Sequence, residues 1–371
     1  MEKLKVGIIG TGMAFERLHY PAYQELADKY EIVALCDPVP EKTRPWAQRL
    51  GLGEDAIYTD YRPLLTRGDI NVFDIMVPIE QNFSVTEDVA RAIAFQPHRA
   101  IICEKPLASN YEQARAHAEL PRRYGVPIMI AENYRYNEEI KMIRAMVQEK
   151  KIGDVVYFIQ NRVTCFPEEM LKNKFAREEW RQHPVFHGGV ILDTGVHDIA
   201  ALRCIFGAVD RLQAFGVPQD DDFAPYAVVN VNMRFKSGVT GQFTFYSAGK
   251  EMQRPLIGLR IFGTSGMIYW EERDCGTVNV AYNDGGSEQI PYRPQRGYYN
   301  ELLNLYNFMM DKEPIEVTPE MEYGDAKTIL DILRSIREDS IISVDKNNDF
   351  IPAYISAQQP VHFEFHHVKW Q

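Results

Sequence analysis

Cysteine is scarce in this chain of 371 residues, and the few cysteines form no pattern. The five are Cys36, Cys103, Cys165, Cys204 and Cys275. Their number is odd and none belongs to a C-x-x-C pair, so the sequence predicts neither a disulfide framework nor a thiolate metal site. We therefore expect the protein in a reducing compartment, the cytoplasm.

Long apolar runs and an excess of basic charge are also missing. No stretch approaches the roughly 18 apolar residues of a membrane helix, and the first residues lack the apolar region of a signal peptide. With 52 acidic and 41 basic residues, the net charge of −11 provides no attraction for nucleic acid or for an anionic membrane. We expect a soluble protein whose partner is a small molecule.

Short apolar runs alternate with helical patterns over the first part of the chain. The runs cover residues 6–9, 32–36, 72–77, 100–103 and 128–131. Continuous apolar strands separated by helices are typical of a parallel sheet covered on both faces. The sequence therefore predicts a doubly wound α/β domain, to which we assign residues 1–135.

Beyond Gly153 the pattern changes to strands rich in Val, Phe and Tyr that are joined by tight turns. Examples are residues 155–163, 227–235, 239–246, 255–262 and 267–270. Such turns favour antiparallel pairing. We predict that residues 136–371 form an α+β domain with a large, mostly antiparallel sheet and two late helices, over 298–311 and 323–337.

A glycine-rich turn follows the first predicted strand. It consists of Gly10, Thr11, Gly12, Met13 and Ala14. A turn without side chains lets a pyrophosphate approach the N–H groups at a helix N-terminus. The third position of the G-x-G-x-x-G fingerprint is Phe15, which predicts looser packing of helix on strand. The glycines alone also fit an ordinary turn.

An acidic residue, Asp37, ends the next predicted strand. Its distance from Gly12 is close to the spacing of about 20 residues expected for the carboxylate that binds the ribose hydroxyls of NAD. A carboxylate there disfavours the 2′-phosphate of NADP, although Lys42 and Arg44 nearby keep NADP open. The alternative for Asp37 is a helix cap or turn residue.

The fifth predicted strand ends in Glu104, Lys105 and Pro106. A capping box of Ser109 and Glu112 predicts that a helix begins directly afterwards. The three residues then lie in a strand-to-helix loop, where open parallel sheets bind ligands. Partial desolvation beside a cationic nicotinamide would lower the pKa of Lys105, which would then polarise a substrate oxygen. Glu104 would either orient Lys105 or hold the loop. The alternative is a solvated surface lysine.

A third motif, D-x-G-x-H, contains Asp193 and His197. Residues four apart share one face of a helix, so we expect the carboxylate to orient the imidazole for proton transfer. The alternative is a helix cap and a packed histidine. A metal site that also includes His183 and His187, together with His197 and Asp193, is a further interpretation. Pro184 opposes a regular helix there, however, and the Glu of H-E-x-x-H is missing. We predict no metal.

These motifs in this order resemble the family of glucose-fructose oxidoreductase, inositol dehydrogenase and rhizopine-type oxidoreductases (Gfo/Idh/MocA). The similarity runs over nearly the whole chain and includes residues 18–23, 151–158, 180–181 and 298–304. It implies an N-terminal Rossmann domain that binds NAD, with NADP possible. It also implies a C-terminal domain whose open sheet forms the interface of a homo-oligomer, a dimer or a tetramer.

The resemblance also implies which residues form the site. Lys105, Asp193 and His197 would contact the reacting hydroxyl as catalytic and substrate-binding residues. The implied cofactor-binding set is Gly10, Thr11, Gly12, Met13, Ala14, Asp37, Pro78, Asn82, Glu104 and Lys105. After the fourth strand the chain keeps Asn82 but lacks a histidine that many relatives have.

A second departure from the family pattern follows the sixth strand, in the stretch A-E-N-Y-R-Y-N-E-E. We expect Asn133, Tyr134 and Arg135 to face the cleft and contact substrate, with loop packing as the alternative.

The resemblance implies that the protein transfers a hydride between a nicotinamide cofactor and a hydroxyl-bearing carbon of a sugar, sugar derivative or cyclitol. His197, supported by Asp193, would remove the hydroxyl proton while Lys105 polarises the oxygen. The alternative is a non-catalytic regulatory protein of the same fold that binds nucleotide and sugar.

Overall fold

The computed structural model describes residues 3–172, 178–249, 257–271 and 275–344. Within these ranges the chain forms two sheets, one parallel and one mostly antiparallel. The strand predicted over 255–262 is described from Ile257 onwards.

The parallel sheet lies in the first part of the chain. Its six described strands are β1 (Leu4–Ile9), β2 (Tyr30–Cys36), β3 (Ile57–Tyr58), β4 (Val72–Ile75), β5 (Ala100–Glu104) and β6 (Ile128–Ala131). They are ordered β3-β2-β1-β4-β5-β6, which confirms the predicted doubly wound sheet. Ile9 pairs with Ile75, and Ile75 pairs with Cys103. The loops after β1, β4 and β5 therefore meet at one edge.

Helices cover this sheet, and one of them, the helix after β5, begins one residue later than the sequence predicted. They are α1 (Tyr20–Glu25), α2 (Pro40–Leu50), α3 (Tyr61–Leu64), α4 (Ile79–Ala92) and α5 (Tyr111–Tyr124). Asn110 caps α5, because its side chain accepts the N–H of Gln113 at 2.9 Å. The predicted cap, Ser109 in a box with Glu112, is therefore wrong by one residue. Asparagine caps helices as well as serine does, and Asn110 occupies the next position.

The turn after the glycine-rich loop is π-helical, over Phe15–His19. The ring of Phe15 is fully buried, with its centroid 5.0 Å from that of Trp46 and 5.7 Å from that of Tyr20. The looser packing of helix on strand stays a prediction. The wider π-helical turn accommodates a bulky ring at the position where the fingerprint has a small residue.

The second sheet is mostly antiparallel, as predicted. Its nine described strands are β7 (Val155–Val163), β8 (Val209–Pro218), β9 (Tyr226–Phe235), β10 (Thr240–Tyr246), β11 (Ile257–Gly263), β12 (Gly266–Glu271), β13 (Thr277–Tyr282), β14 (Ser287–Pro291) and β15 (Ile342–Ser343). Only β7 and β10 pair in parallel among these described strands. One face of the sheet packs on helices in an apolar core.

The remaining described α-helices follow β6 in the chain. They are α6 (Asn133–Tyr136), α7 (Glu138–Gln148), α8 (Phe166–Lys172), α9 (Glu179–Gln182), α10 (Val190–Phe206), α11 (Gly297–Met309) and α12 (Pro319–Glu338). In the described ranges, none of the helices has the length and apolar character needed to cross a membrane. Leu302 and Leu305 of α11 pack in the core of the parallel sheet, whereas Ile329 of α12 packs in the core of the antiparallel sheet. The division after residue 135 stays a prediction.

A buried ionic cluster joins α6, α10 and α12. The Arg135 guanidinium donates to both carboxylate oxygens of Asp325, from Nε at 3.0 Å and from Nη2 at 2.7 Å. Arg203 donates to the same carboxylate and to the carbonyl of Met321. Because these charges are all buried, each depends on its partners for the stabilisation that water would otherwise supply.

Replacing Asp325 with alanine should therefore leave two buried guanidinium groups without their carboxylate. We expect Asp325→Ala to lower the free energy of unfolding by about 3–5 kcal/mol, measured by urea denaturation. The control is Glu338→Ala, which removes the exposed contact of Glu338 with Arg334 at 3.0 Å and should cost about 0–1 kcal/mol. Equal losses in the two variants would contradict the structural role of the cluster.

Candidate active site

The glycine-rich loop is shaped to receive a ligand. Gly10 has a φ of +99°, and a Cβ there would lie 2.2 Å from the carbonyl oxygen of Met76, so only glycine fits. At Gly12, in contrast, a Cβ would meet nothing within 4 Å. The loop is thus tight on its inner side and open on its outer side, as the approach of a dinucleotide pyrophosphate to its backbone requires.

Asp37 lies beside this loop, at the end of β2. Its Oδ2 accepts the N–H of Thr11 at 3.0 Å, and its Oδ1 accepts the N–H of Val39 at 3.0 Å. The Thr11 hydroxyl also donates to Oδ2, at 3.4 Å. A carboxylate has about four acceptor sites, so about one remains for a ribose hydroxyl, and the Thr11 hydroxyl can turn away to release another. The residues present therefore fit a dinucleotide.

The loop after β5 is held by a chain of buried groups. Glu104 accepts the backbone N–H of Lys105 at 3.1 Å, and its other oxygen lies 3.0 Å from Nε2 of His19. Nδ1 of His19 lies 2.9 Å from Asp74. Burial alone would lower the pKa of His19, but Asp74 and Glu104 together hold it well above its usual value. Glu104 therefore positions the loop backbone rather than the Lys105 ammonium group.

Asn82 fastens the same loop from α4. Its side-chain amide donates to the carbonyls of Glu104 at 3.0 Å and Pro106 at 2.9 Å, on either side of Lys105. Its Oδ1 is buried and has no partner in the part of the chain that the structure describes. Pro78 lies at the start of α4. Both residues therefore line the edge where the loops after β1, β4 and β5 meet.

Lys105 reaches from the parallel sheet to Asp193 in the first turn of α10. Its Nζ donates to the carbonyl oxygen of Asp193 at 2.8 Å and to the carboxylate Oδ1 at 3.0 Å. Arg181 donates from Nε to the other carboxylate oxygen at 2.9 Å. Asp193 is thus held by a cation at each oxygen, and all three side chains are largely buried.

The pKa values of this cluster differ from the expectation for Lys105. Burial alone would lower the pKa of Lys105, but Asp193 and Glu104 outweigh it and raise the pKa above its usual value. The predicted lowering is therefore wrong for the protein by itself. Burial alone would raise the pKa of Asp193, but Arg181 and Lys105 hold it well below its usual range. Lys105 is a cation and Asp193 an anion at neutral pH.

His197 contacts a different carboxylate from the one predicted. Its Nδ1 lies 2.7 Å and 2.9 Å from the two carboxylate oxygens of Glu132, which follows β6. The predicted pairing of His197 with Asp193 is wrong, because Lys105 and Arg181 already hold both carboxylate oxygens of Asp193. Burial lowers the pKa of His197 below its usual value, although Glu132 opposes the shift. The imidazole is therefore neutral at pH 7.

Tyr134 supports the imidazole from its face. The two rings are nearly parallel, at 15°, with centroids 4.5 Å apart. The Tyr134 hydroxyl accepts from Nη2 of Arg162 at 3.0 Å, and Arg162 also forms a buried ion pair with Asp198. The structure thus places Tyr134 in contact with His197, and its contact with substrate stays a prediction.

The other two residues of this stretch are placed differently. Arg135 is buried against Asp325, so its guanidinium does not face the cleft and the predicted substrate contact is wrong. The ion pair with a residue far along the chain could not be seen in the local pattern. Asn133 is buried, and its Oδ1 has no partner among the described residues.

His183 and His187, the two histidines added by the metal interpretation, do not form a metal site with other ligands in the part of the chain that the structure describes. His183 is exposed and lies 2.9 Å from Asp222, and His187 is also exposed. No group of three or more His, Cys, Asp or Glu side chains in the described ranges is arranged to hold a metal ion. This region therefore gives the metal interpretation no support.

Three residues of the site were not assigned from sequence: Glu132, Arg181 and His19. Glu132 follows β6 directly, and an acidic residue at the end of a strand was the available signal. Arg181 and His19 lie in the stretches shared with the family, 180–181 and 18–23, but their partners are distant in sequence. Only the fold shows what they contact.

Comparisons with known proteins agree with this arrangement. The family model described as an oxidoreductase family with an NAD-binding Rossmann fold matches residues 4–132, and that of the Gfo/Idh/MocA C-terminal domain matches residues 140–269. An uncharacterised protein of Saccharomyces cerevisiae is 28% identical over 370 residues, which are 97% of this chain and 100% of that protein.

Two further similarities concern an enzyme and a solved structure. D-apiose dehydrogenase of Paraburkholderia graminis is 29% identical over 240 residues, which are 65% of this chain and 60% of the enzyme. The crystal structure of an oxidoreductase from Thermotoga maritima has a TM-score of 0.81 at 25% identity and covers 92% of this chain and 98% of that one.

The two family models together cover more than half of the chain. They include all of β1 to β11 and most of β12. The predictions of an NAD-binding Rossmann domain and of an oxidoreductase are confirmed. The chain belongs to the Gfo/Idh/MocA family of oxidoreductases.

Proposed function

We propose that this oxidoreductase transfers a hydride between NAD and a hydroxyl-bearing carbon of a sugar, sugar derivative or cyclitol. The observation that carries the proposal is the convergence of Lys105, from the parallel sheet, with Asp193 one helical turn before His197 on α10. A cation and a neutral imidazole at one edge of a dinucleotide site suit a hydroxyl that must lose a proton. The similarity to D-apiose dehydrogenase supports a sugar substrate.

The dinucleotide would be held by the loop from Gly10 to Ala14, by Asp37, and by Pro78 and Asn82 at the start of α4. When bound, its nicotinamide supplies the hydride acceptor or donor. The protein supplies the position of the reacting carbon and the charges around its oxygen.

Lys105 would bind the substrate oxygen. Two hydrogen bonds from its ammonium group go to Asp193, and an ammonium group has three donors. The third would donate to the oxygen that becomes a carbonyl, where it stabilises the negative charge that develops as the proton leaves. Asp193 would fix the direction of that donor and contact a neighbouring substrate hydroxyl.

His197 would act as the base in oxidation and as the acid in reduction. Because burial keeps its imidazole neutral, it can accept the hydroxyl proton without first losing one. Tyr134, stacked on the ring, would restrict the imidazole plane and form part of the substrate pocket with Asn133.

We also propose that the protein is a homo-oligomer, a dimer or a tetramer, whose interface is the outer face of the antiparallel sheet. This face carries exposed apolar side chains, among them Ile159 at 39% and Phe215 at 52% exposure. Tyr157 and Phe262 stack on it, with centroids 4.3 Å apart. Polar side chains of β9 and β10 separate Phe215 from Ile159. A face that combines exposed apolar and polar side chains in this way suits an interface between subunits. A cytoplasmic location is supported by the five free cysteines.

Loss of Lys105 or His197 should abolish turnover without abolishing cofactor binding. We expect Lys105→Met and His197→Ala each to lower kcat by about 10²–10⁴-fold, measured by nicotinamide absorbance over a panel of aldoses, uronates and inositols. The control is Lys150→Met, which removes an exposed lysine paired with Asp154. Tight NAD binding by the wild type without turnover on any member of the panel would favour the non-catalytic regulatory protein.

Asp37 should set the preference for NAD over NADP. We expect Asp37→Ser to weaken NAD binding by about 10- to 100-fold, because the ribose hydroxyls lose hydrogen bonds to a charged group. NADP binding should be less affected, since its 2′-phosphate no longer meets a carboxylate. Titrating both dinucleotides calorimetrically measures the ratio, with the exposed Asp28→Ser as the control. An unchanged ratio would contradict this role.

A charge on the outer face of the antiparallel sheet should separate the subunits. We expect Ile159→Asp to reduce the molar mass measured by light scattering after size exclusion. Phe95→Asp, which changes an equally apolar residue exposed on the first domain, should leave the mass unchanged. A wild type that elutes as a monomer, or an Ile159→Asp variant with an unchanged mass, would rule out this interface.

A further inference from the structure

The contact between Glu132 and His197 is short and largely buried. Nδ1 of His197 lies 2.7 Å and 2.9 Å from the two carboxylate oxygens. The Glu132 side chain is fully buried, and that of His197 is only 13% exposed. With both carboxylate oxygens facing one ring nitrogen, Glu132 is oriented as an acceptor for an N–H on Nδ1.

Glu132 is itself held in place. Its Oε1 also accepts the backbone N–H of Tyr134 at 3.0 Å. The ring of the same tyrosine stacks on the imidazole. The carboxylate and the ring plane of His197 are thus fixed together by one short segment, residues 132–134.

Asp193, the other candidate for this role, is already bound. Arg181 and Lys105 each hold one of its carboxylate oxygens. Its charge is therefore directed at two cations rather than at the imidazole.

We propose that Glu132 is the positioning residue of the active-site base, fixing His197 as the tautomer with its proton on Nδ1. This inference rests on the proposed function, in which His197 takes the hydroxyl proton. With Nδ1 protonated, the lone pair lies on Nε2, which is the nitrogen that accepts the proton. Glu132 then stabilises the imidazolium that forms.

The pair also crosses between the two halves of the molecule. Glu132 follows β6 of the parallel sheet, whereas His197 belongs to α10 beside the antiparallel sheet. His197 therefore has its carboxylate partner only when the two halves are in contact. The same holds for the contact of Lys105 with Asp193.

The charges that face His197 determine the direction of its pH dependence. Glu132 raises its pKa, whereas Lys105 and Arg162 lower it together with burial. Glu104 and Asp198 also lie within electrostatic reach, and Tyr134 covers one face of the ring. Among the largest influences on His197, Glu132 is the group that raises the pKa. Removing its charge should therefore lower the pKa of His197. The acid limb of the oxidation profile should then move to lower pH.

The experiment compares Glu132→Gln with Asp193→Asn in the full chain. Glutamine keeps an acceptor for the Tyr134 N–H and removes the charge. We expect Glu132→Gln to lower kcat by at least about tenfold, but by less than the about 10²–10⁴-fold assigned to the base itself. The acid limb should shift to lower pH in Glu132→Gln and stay in place in Asp193→Asn. Cofactor affinity should be unchanged in Glu132→Gln.

A second readout does not depend on turnover. In protein with ¹⁵N-labelled histidine, and with His197→Ala to assign the signal, the wild type should show Nδ1 protonated and Nε2 unprotonated above the imidazole pKa. Glu132→Gln should lose that tautomer preference. An unchanged His197 signal in Glu132→Gln, or a change caused by Asp193→Asn instead, would overturn the role of Glu132 whatever the turnover. Absence of turnover in the wild type would overturn the proposed function alone.

Discussion

The contact of Lys105 with Asp193 unites the two halves of this protein at the point where its chemistry takes place. The ammonium comes from the loop after β5 and the carboxylate from the first turn of α10. Both groups are nearly withdrawn from water, so neither would tolerate the loss of the other. Arg181 adds a second cation from α9. The relative position of a dinucleotide loop and a base on α10 is thereby set by electrostatics as well as by packing.

Some other buried charges in the molecule are likewise paired with groups of opposite charge. His19 lies between Asp74 and Glu104, and Asp325 lies between two guanidinium groups. Each of these clusters joins elements that are distant in sequence, and each lies next to a segment that carries the site. Buried ion pairs of this kind do not add much net stability. Their consequence here is a defined geometry, because an alternative arrangement would leave a charge unpaired.

The fold could be predicted from sequence because its signals are local. Apolar runs of strand length, the glycines after β1 and the tight turns of the second half each specify their own element. The helix cap shifted by one residue because Ser109 and Asn110 satisfy the same requirement. The partner of His197 could not be predicted, since Glu132 lies 65 residues away in sequence. The direction of the Lys105 pKa depends on Asp193 and Glu132 as well as on the neighbouring Glu104, and only the fold brings the first two beside the ammonium group.

The π-helical turn at Phe15–His19 constrains the length of the chain at this point. It connects the glycine-rich loop to His19, which contacts Asp74 and Glu104. A π-helical turn is closed by i→i+5 hydrogen bonds and so contains one residue more than an α-helical turn. Deleting one residue here would convert the turn and change where His19 lies relative to both carboxylates. Between Gly12 and His19, side chains can therefore be exchanged more readily than residues can be added or removed.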